Sequence, residues 1–192
     1  MNRVSVGDKE AGQKAEKLFR KYCDKANITY LYIDQEVDKK SSEIFYNTAQ
    51  RPDYLVAEAN KMPFFVDVKA HYFQTINGVD KDFYKHKNIP AILWNNDEYL
   101  KLESFQNMIG IPIWISFFER RGTKDVNPRS MLVIPLNIAG DFFLLDKHKF
   151  TFFQIPRTCC ALIDIEKPTP LSYGLCSKCE NDYCDKIDKY LI

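Results

Sequence analysis

The sequence predicts an α/β (α+β) fold in which helices flank a central mixed β-sheet. Along the chain, a helix, four strands, a second helix and a further strand follow one another, an order typical of a sheet covered by helices. Residues 111–118, IPIWISFF, are apolar on both faces, as in a central strand. Residues 63–70 alternate in character, as in a strand whose two faces meet different surroundings.

The first helix is predicted over residues 8–26. Its apolar residues recur at helical spacing: Ala15, Leu18, Phe19, Tyr22, Cys23 and Ala26. Strands are predicted at 28–33, 53–57, 63–70, 90–94 and 111–118, and one helical turn at 42–48.

The second helix is predicted over residues 96–109. Asn95 is its N-cap, and Glu98 is placed to complete a capping box. Gly110 ends the helix. These elements predict a core over residues 1–125, with a β-rich, cysteine-containing extension at 126–192 packed on it in one compact domain.

Composition excludes several classes of protein. The chain has 192 residues, 45% of them hydrophobic, so general disorder is excluded. Its net charge is +1, which excludes a highly basic chromatin-type binder but not a local basic surface. No apolar run is long enough to span a membrane, and the polar N-terminus predicts no secretory signal. We therefore expect a cytoplasmic protein with no membrane partner.

The strand FFVDVKA carries the most informative residues. Asp67 and Lys69 share one face with Phe65, whereas the other face is entirely apolar. Charges inside an apolar strand are costly unless they are paired or hold a metal ion. An ordinary Asp–Lys pair on a half-exposed strand is the simpler interpretation.

The preceding strand adds a third charged group. If residue 57 pairs with residue 63, Asp53 lies opposite Asp67, with Lys69 next to them. Two neighbouring carboxylates repel each other unless a cation lies between them, and their oxygens suit Mg²⁺ or Mn²⁺. Glu58, in the connecting loop, is interpreted as a solvated carboxylate.

Pro52-Asp53 followed by Asp67-Val68-Lys69 resembles the motif of the PD-(D/E)xK nuclease superfamily, which has the restriction-endonuclease-like fold. The resemblance covers residues 8–118. It implies a Mg²⁺- or Mn²⁺-dependent DNA endonuclease of the restriction or Holliday-junction-resolvase type. It also implies metal ligands at Asp53, Asp67, Glu16 and the Val68 carbonyl, and a catalytic role for Lys69.

Two further candidates have simpler alternatives. Glu16 lies where many members of the superfamily carry a glutamate, but it can also pair with Arg20 one helical turn later. Gln106 is placed to face inward and could approach the active site, or it could bond to backbone.

Basic residues in two loops are candidate DNA phosphate contacts. They are Lys85 and Lys87 in one loop, and Arg120, Arg121 and Lys124 in the other. DNA is thus the predicted partner, with a homodimer or larger nucleoprotein assembly as a further prediction. The alternatives are a non-catalytic nucleic-acid-binding or assembly module, or a protein that binds partners through its cysteine-rich tail.

The C-terminal cysteines suggest a second metal site. Cys176 and Cys179 form a CxxC pair, and Cys184 follows them. Structural zinc needs four ligands, so Cys160 or Cys159 would supply the fourth. Plain thiols are one alternative. The resemblance to the nuclease superfamily implies another, an iron–sulfur cluster that uses Cys23.

Overall fold

The computed structural model describes residues 6–33, 51–59, 61–76, 89–141, 144–147, 150–157 and 160–171. The helices are α1 (Val6–Ala26), α2 (Asn96–Ile109) and α3 (Leu136–Ala139). The first strands are β1 (Thr29–Tyr32), β2 (Tyr54–Ala57), β3 (Phe64–His71), β4 (Phe73–Ile76) and β5 (Ile89–Asn95). The later strands are β6 (Ile113–Arg121), β7 (Asp125–Val126), β8 (Ser130–Pro135), β9 (Leu144–Lys147), β10 (Phe150–Pro156) and β11 (Ala161–Asp164).

The main sheet is mixed, as predicted. Its strand order is β1-β2-β3-β6-β8-β11, and β7 pairs with the end of β6. β3 and β6 are parallel, whereas the other pairs are antiparallel. β6 therefore lies inside the sheet, which agrees with the apolar character of both its faces.

A second sheet has the order β4-β5-β10-β9. The predicted strand at 90–94 is confirmed as β5, but it pairs with β4 and β10 in this second sheet. The described residues beyond residue 126 are β-rich, and their strands contribute to both sheets.

The main sheet has an apolar core on each face. One core joins α1 to alternate residues of β2, β3, β6, β8 and β11. The other joins α2, α3, β5 and β10 to the opposite faces of β3, β6 and β8. Helices therefore flank the sheet on both sides, and β3 is buried between them.

The ends of the helices follow from local chemistry. Asn27 ends α1 in the left-handed region, at φ 54°, a conformation that asparagine tolerates well. The Asn95 side chain accepts a hydrogen bond from Asp97 N, and Gly110 closes α2 at φ 72°. The bounds predicted for α2 are confirmed. No described helix combines the length and the apolar character that a bilayer span requires.

Residues 166–171 are tied to α1 and to the β2–β3 loop. Leu171 N donates to Glu58 Oε1 over 2.7 Å, and Tyr22 Oη donates to the carbonyl of Thr169. Lys21 and Lys25 both pair with Glu166. The interpretation of Glu58 as a solvated carboxylate is wrong, because its side chain is buried as an acceptor for this segment.

Replacing Glu58 with alanine should leave the buried Leu171 N–H without an acceptor. We expect the free energy of unfolding to fall by about 1–3 kcal/mol, measured by urea denaturation. Glu58→Gln keeps an acceptor oxygen and should lose less. Glu166→Ala serves as the control, since it removes an exposed carboxylate and should have the smallest effect. Equal losses in all three variants would contradict this assignment.

Candidate active site

Strand β3 carries the candidate site on the face that it shares with Phe65. Asp67 is fully buried, and the Lys69 side chain is 19% exposed. In the parallel register with β6, Asp67 lies beside Ile115 and Lys69 beside Phe117. The two charged residues are therefore surrounded by apolar neighbours, so each needs a partner of opposite charge.

Asp53, which directly precedes β2, joins them. The hairpin register is confirmed, since Tyr54 pairs with Val66 and Val56 with Phe64. Beyond these pairs, Asp53 N donates to the Val66 carbonyl, and Asp53 Oδ2 accepts from Val68 N over 2.7 Å. The Asp53 carboxylate is therefore bound to the backbone of β3 at Val68, the residue next to Asp67.

Lys69 lies between two carboxylates. Its Nζ is 3.1 Å from Asp67 Oδ2 and 3.5 Å from Glu98 Oε2. Glu98 also accepts a hydrogen bond of 3.1 Å from Trp94 Nε1. These contacts fix the lysine ammonium from both sides.

Glu98 was missed as a site residue from the sequence. Its predicted place in a capping box is wrong, because its carboxylate turns to Trp94 and Lys69. The i,i+4 spacing of Trp94 and Glu98 was visible, but Lys69 is distant in the sequence. Only the packing of α2 against β3 brings the carboxylate to the lysine.

The two aspartates resist ionisation. Burial raises the pKa of Asp67, and the neighbouring charge of Asp53 raises it further, while Lys69 opposes both effects. Burial also raises the pKa of Asp53, against the hydrogen bond from Val68 N and the charge of Lys69. Asp67 Oδ1 is buried and has no hydrogen-bond partner. A cation between the two carboxylates would lower both pKa values and would give Asp67 Oδ1 a partner.

The charges of Lys69 and Glu98 depend on each other. Burial lowers the pKa of Lys69, but Asp67, Glu98 and Asp53 together outweigh it and raise the pKa above its usual range. Burial raises the pKa of Glu98, but Lys69 and the Trp94 hydrogen bond outweigh it and lower the pKa. Lys69 is therefore held as an ammonium and Glu98 as a carboxylate.

Glu16 borders this cluster without completing it. Among the described residues, no three His, Cys, Asp or Glu side chains are grouped closely enough to hold a metal ion by themselves. The Glu16 carboxylate lies 3.7 Å from the Arg20 guanidinium. This is the pairing along the helix that was the simpler alternative for Glu16. Burial raises the pKa of Glu16, Arg20 lowers it, and the charge of Asp67 raises it, so the two acids lie near each other.

Gln106 belongs to α2, and its side chain reaches the beginning of β6. Its Oε1 accepts a 2.7 Å hydrogen bond from Ile113 N. This contact agrees with the alternative in which Gln106 bonds to the backbone. The residue of α2 that contacts Lys69 is Glu98. A catalytic role for Gln106 has no support from these contacts.

The predicted phosphate contacts differ in accessibility. Arg120 has a side chain only 11% exposed, which bonds to Asp8 and the Thr123 carbonyl and stacks on the Tyr72 ring. These contacts do not suit a DNA-facing residue. Lys124 pairs with Glu10, and Arg121 is exposed. Lys85 and Lys87 lie outside the described residues.

The predicted zinc ligands Cys176, Cys179 and Cys184, together with Cys159, lie outside the described residues. Cys160 is buried in the core cluster on the α2 side of the main sheet. Cys23 belongs to α1 and is buried in the core between this helix and the main sheet. Burial raises the pKa of its thiol to about 12, as expected of a packing residue.

No family model matches the chain, and no curated protein matches it. Among solved structures, the chain is similar to Hjc, a Holliday junction resolvase from the archaeal hyperthermophile Archaeoglobus fulgidus. The similarity covers 76% of this chain and 88% of the Hjc chain, with 12% sequence identity and a TM-score of 0.43. Similarity at this level assigns neither a family nor an activity.

The raised pKa values of Asp53 and Asp67 give stability a pH dependence of definite sign. The folded pair keeps its protons to higher pH than the unfolded chain. Its contribution to stability is therefore complete below about pH 4 and is lost as pH rises to about 7. We expect the melting temperature to fall between about pH 5 and 8, and to fall less in Asp67→Asn. The exposed Asp141→Asn is the control and should behave like the wild type.

Divalent cations should compete with protons for the same two carboxylates. We expect Mg²⁺ or Mn²⁺ to raise the melting temperature more at about pH 8 than at pH 5. At a hundredfold excess over Kd the stabilisation is on the order of 2–3 kcal/mol. Asp67→Asn should lose most of this shift in calorimetry. An undiminished shift in that variant would place the cation elsewhere.

Proposed function

We propose that the protein is a metal-dependent DNA endonuclease that hydrolyses phosphodiester bonds, with its active site at Asp53, Asp67 and Lys69. The observation that carries the proposal is the convergence of a buried carboxylate, Asp67, a half-buried carboxylate, Asp53, and an ammonium, with the Asp67 Oδ1 atom unpartnered. A purely structural Asp–Lys pair would not need the second carboxylate.

The carboxylates of Asp53 and Asp67 would hold the cation, with the Val68 carbonyl as a further ligand and Glu16 contributing negative charge nearby. Oxygen ligands of this kind suit Mg²⁺ or Mn²⁺. When bound there, such an ion lowers the pKa of a bound water and polarises a phosphate oxygen.

Lys69 would act on the reacting phosphate. Its ammonium lies at ion-pair distance from Asp67 and Glu98, which hold it in place. One of its three N–H groups would donate to the attacking water or to a non-bridging phosphate oxygen. A donor fixed in advance stabilises the charge that develops in the transition state more than it stabilises the bound substrate.

Glu98 would position Lys69. Its hydrogen bond from Trp94 fixes the carboxylate, which in turn holds the ammonium over β3. DNA is the proposed partner, and an assembly larger than the monomer stays a prediction.

A cleavage assay on duplex, branched and single-stranded DNA with Mg²⁺ or Mn²⁺ tests the proposal. Lys69→Ala should keep the fold and DNA affinity but lose at least about 10²-fold in cleavage rate. Asp67→Asn should lose cleavage by weakening cation binding, so excess Mn²⁺ should restore part of it. Lys101→Ala, which removes an exposed lysine of α2, is the matched control and should cleave normally.

Two outcomes would overturn the proposal. Cleavage by Lys69→Ala at the wild-type rate would show that this motif is not the active site. DNA binding without cleavage of any substrate, under either metal ion, would instead support the non-catalytic nucleic-acid-binding module.

Glu98→Gln isolates the positioning role. The variant keeps an oxygen for Trp94 but loses the charge that raises the pKa of Lys69. We expect kcat to fall about 10-fold, KM for DNA to change little, and the alkaline limb of the pH–rate profile to move to lower pH. Glu103→Gln, on the next turn of α2, is the control. An unmoved alkaline limb would refute the role of Glu98.

A further inference from the structure

His71 is the last residue of β3 and shares the face of the strand that carries Asp67 and Lys69. Residues two apart on a strand lie about 7 Å from each other, so His71 follows Lys69 directly along this face. In the parallel register with β6, His71 lies beside Glu119. The histidine therefore borders the candidate active site at the carboxyl end of β3.

The His71 ring packs against Phe117, with ring centroids 6.2 Å apart and an interplanar angle of 84°. Phe117 is the β6 partner of Lys69, and its ring centroid lies 5.7 Å from that of Trp94. Trp94 donates to Glu98, the carboxylate that pairs with Lys69. The imidazole and the ammonium are therefore arranged around the same aromatic ring.

The hydrogen bond of the imidazole decides which nitrogen can accept a proton. His71 Nδ1 lies 3.2 Å from the carbonyl oxygen of Tyr72. A carbonyl oxygen only accepts, so this partner assigns the hydrogen to Nδ1, and Nε2 of the neutral ring keeps its lone pair. No described residue bonds to Nε2. The fully buried side-chain atoms without a partner belong, among the described residues, to Asp67 and Arg120, so Nε2 reaches solvent.

Charged groups from three elements surround the imidazole. Burial lowers the pKa of His71, against the hydrogen bond of Nδ1 and the negative charge of Glu98 on α2, which raise it. The positive charges of Lys69 on β3 and Arg120 on β6 lower the pKa further. Glu119 occupies the neighbouring position of β6. The net shift is downward, so the imidazole is neutral at pH 7.

Hydrolysis requires a group that takes a proton from the attacking water. Lys69 is held as an ammonium, so it can donate to that water but cannot take its proton. Glu98 is paired with Lys69, and the cation would occupy Asp53 and Asp67. On this face of β3, His71 remains as a neutral base with an available lone pair.

We propose that His71 is the general base of the reaction and accepts, at Nε2, the proton that the attacking water loses. The inference rests on the proposed nuclease function and adds a catalytic residue to it. As the water O–H bond breaks, its oxygen bonds to phosphorus, and the P–O bond to the leaving sugar oxygen breaks with its electron pair. The leaving oxygen takes a proton from solvent, and the imidazolium releases one to solvent. The products are a phosphate monoester and an alcohol.

His71→Asn tests this role while keeping the contact to the backbone. The asparagine amide can still donate to the Tyr72 carbonyl but has no basic nitrogen. With saturating Mg²⁺, which keeps the aspartates ionised, we expect kcat to fall about 10²- to 10⁴-fold, with little change in KM or melting temperature. The wild-type kcat should fall as pH drops below about 6.5, and the variant should lose this limb of the profile. Lys101→Ala, on α2, should match the wild type.

Rescue by free imidazole separates a base from a structural ring. In His71→Ala the added imidazole supplies the missing base and should restore part of the cleavage rate. It should not restore cleavage in Lys69→Ala, which lacks a donor rather than a base. A slow His71→Ala variant that imidazole does not rescue would reduce the ring to a structural role and overturn the inference.

Nitrogen-15 NMR of the histidine rings tests the assignment without any cleavage. At pH 7.5 His71 should show the Nδ1–H tautomer with an unprotonated Nε2, and it should titrate below about pH 6.5. The spectrum of His71→Asn identifies its signals by their loss. An Nε2–H tautomer, or a ring still protonated at pH 7.5, would overturn the inference.

The cleavage results also separate this inference from the proposed function. Cleavage by His71→Asn at the wild-type rate, together with a loss of cleavage in Lys69→Ala, would overturn the role of His71 and leave the nuclease intact. Absence of cleavage by the wild type on every DNA substrate would reject both.

Discussion

The central constraint on this structure is a carboxylate buried on an inner strand. Asp67 has no exposed surface, and its Oδ1 atom lacks a hydrogen-bond partner. The negative charge of Asp67 is partly compensated by Lys69, which lies on the same strand. Lys69 in turn pairs with Glu98 of α2, which accepts a hydrogen bond from Trp94. An apolar residue at position 67 would pack more favourably between Ile115 and the α2 core. A buried carboxylate whose charge is only partly compensated is a candidate functional residue, and the proposed active site is built on this one.

Sequence patterns predicted those parts of the fold that depend on local chemistry. The alternation in FFVDVKA placed Asp67 and Lys69 on one face, and the short β2–β3 connection fixed the register. Asn95 and Gly110 set the bounds of α2 because capping depends on the few residues at each end. Strand alternation and hairpin register are therefore sufficient to bring the two aspartates and the lysine together.

Contacts between residues far apart in the chain could not be predicted in this way. Glu58 resembled a solvated loop residue because its partner, Leu171 N, lies 113 residues later. Arg120 resembled a phosphate contact, but its partner Asp8 lies at the beginning of α1. Glu98 fitted a local capping pattern equally well, and only tertiary packing decided between Asn95 and Lys69. A charged residue has many potential partners, and its spacing in the sequence does not select among them.

Net charge alone also conceals how charge is arranged on α1. The chain as a whole carries only +1, yet carboxylates neutralise Lys14, Lys21 and Lys25 on one side of the helix. On the other side of the helix Arg20 pairs with Glu16, whereas Lys9 and Lys17 are exposed. A count of charges over the whole chain therefore does not show which side of a helix is available to an anionic partner.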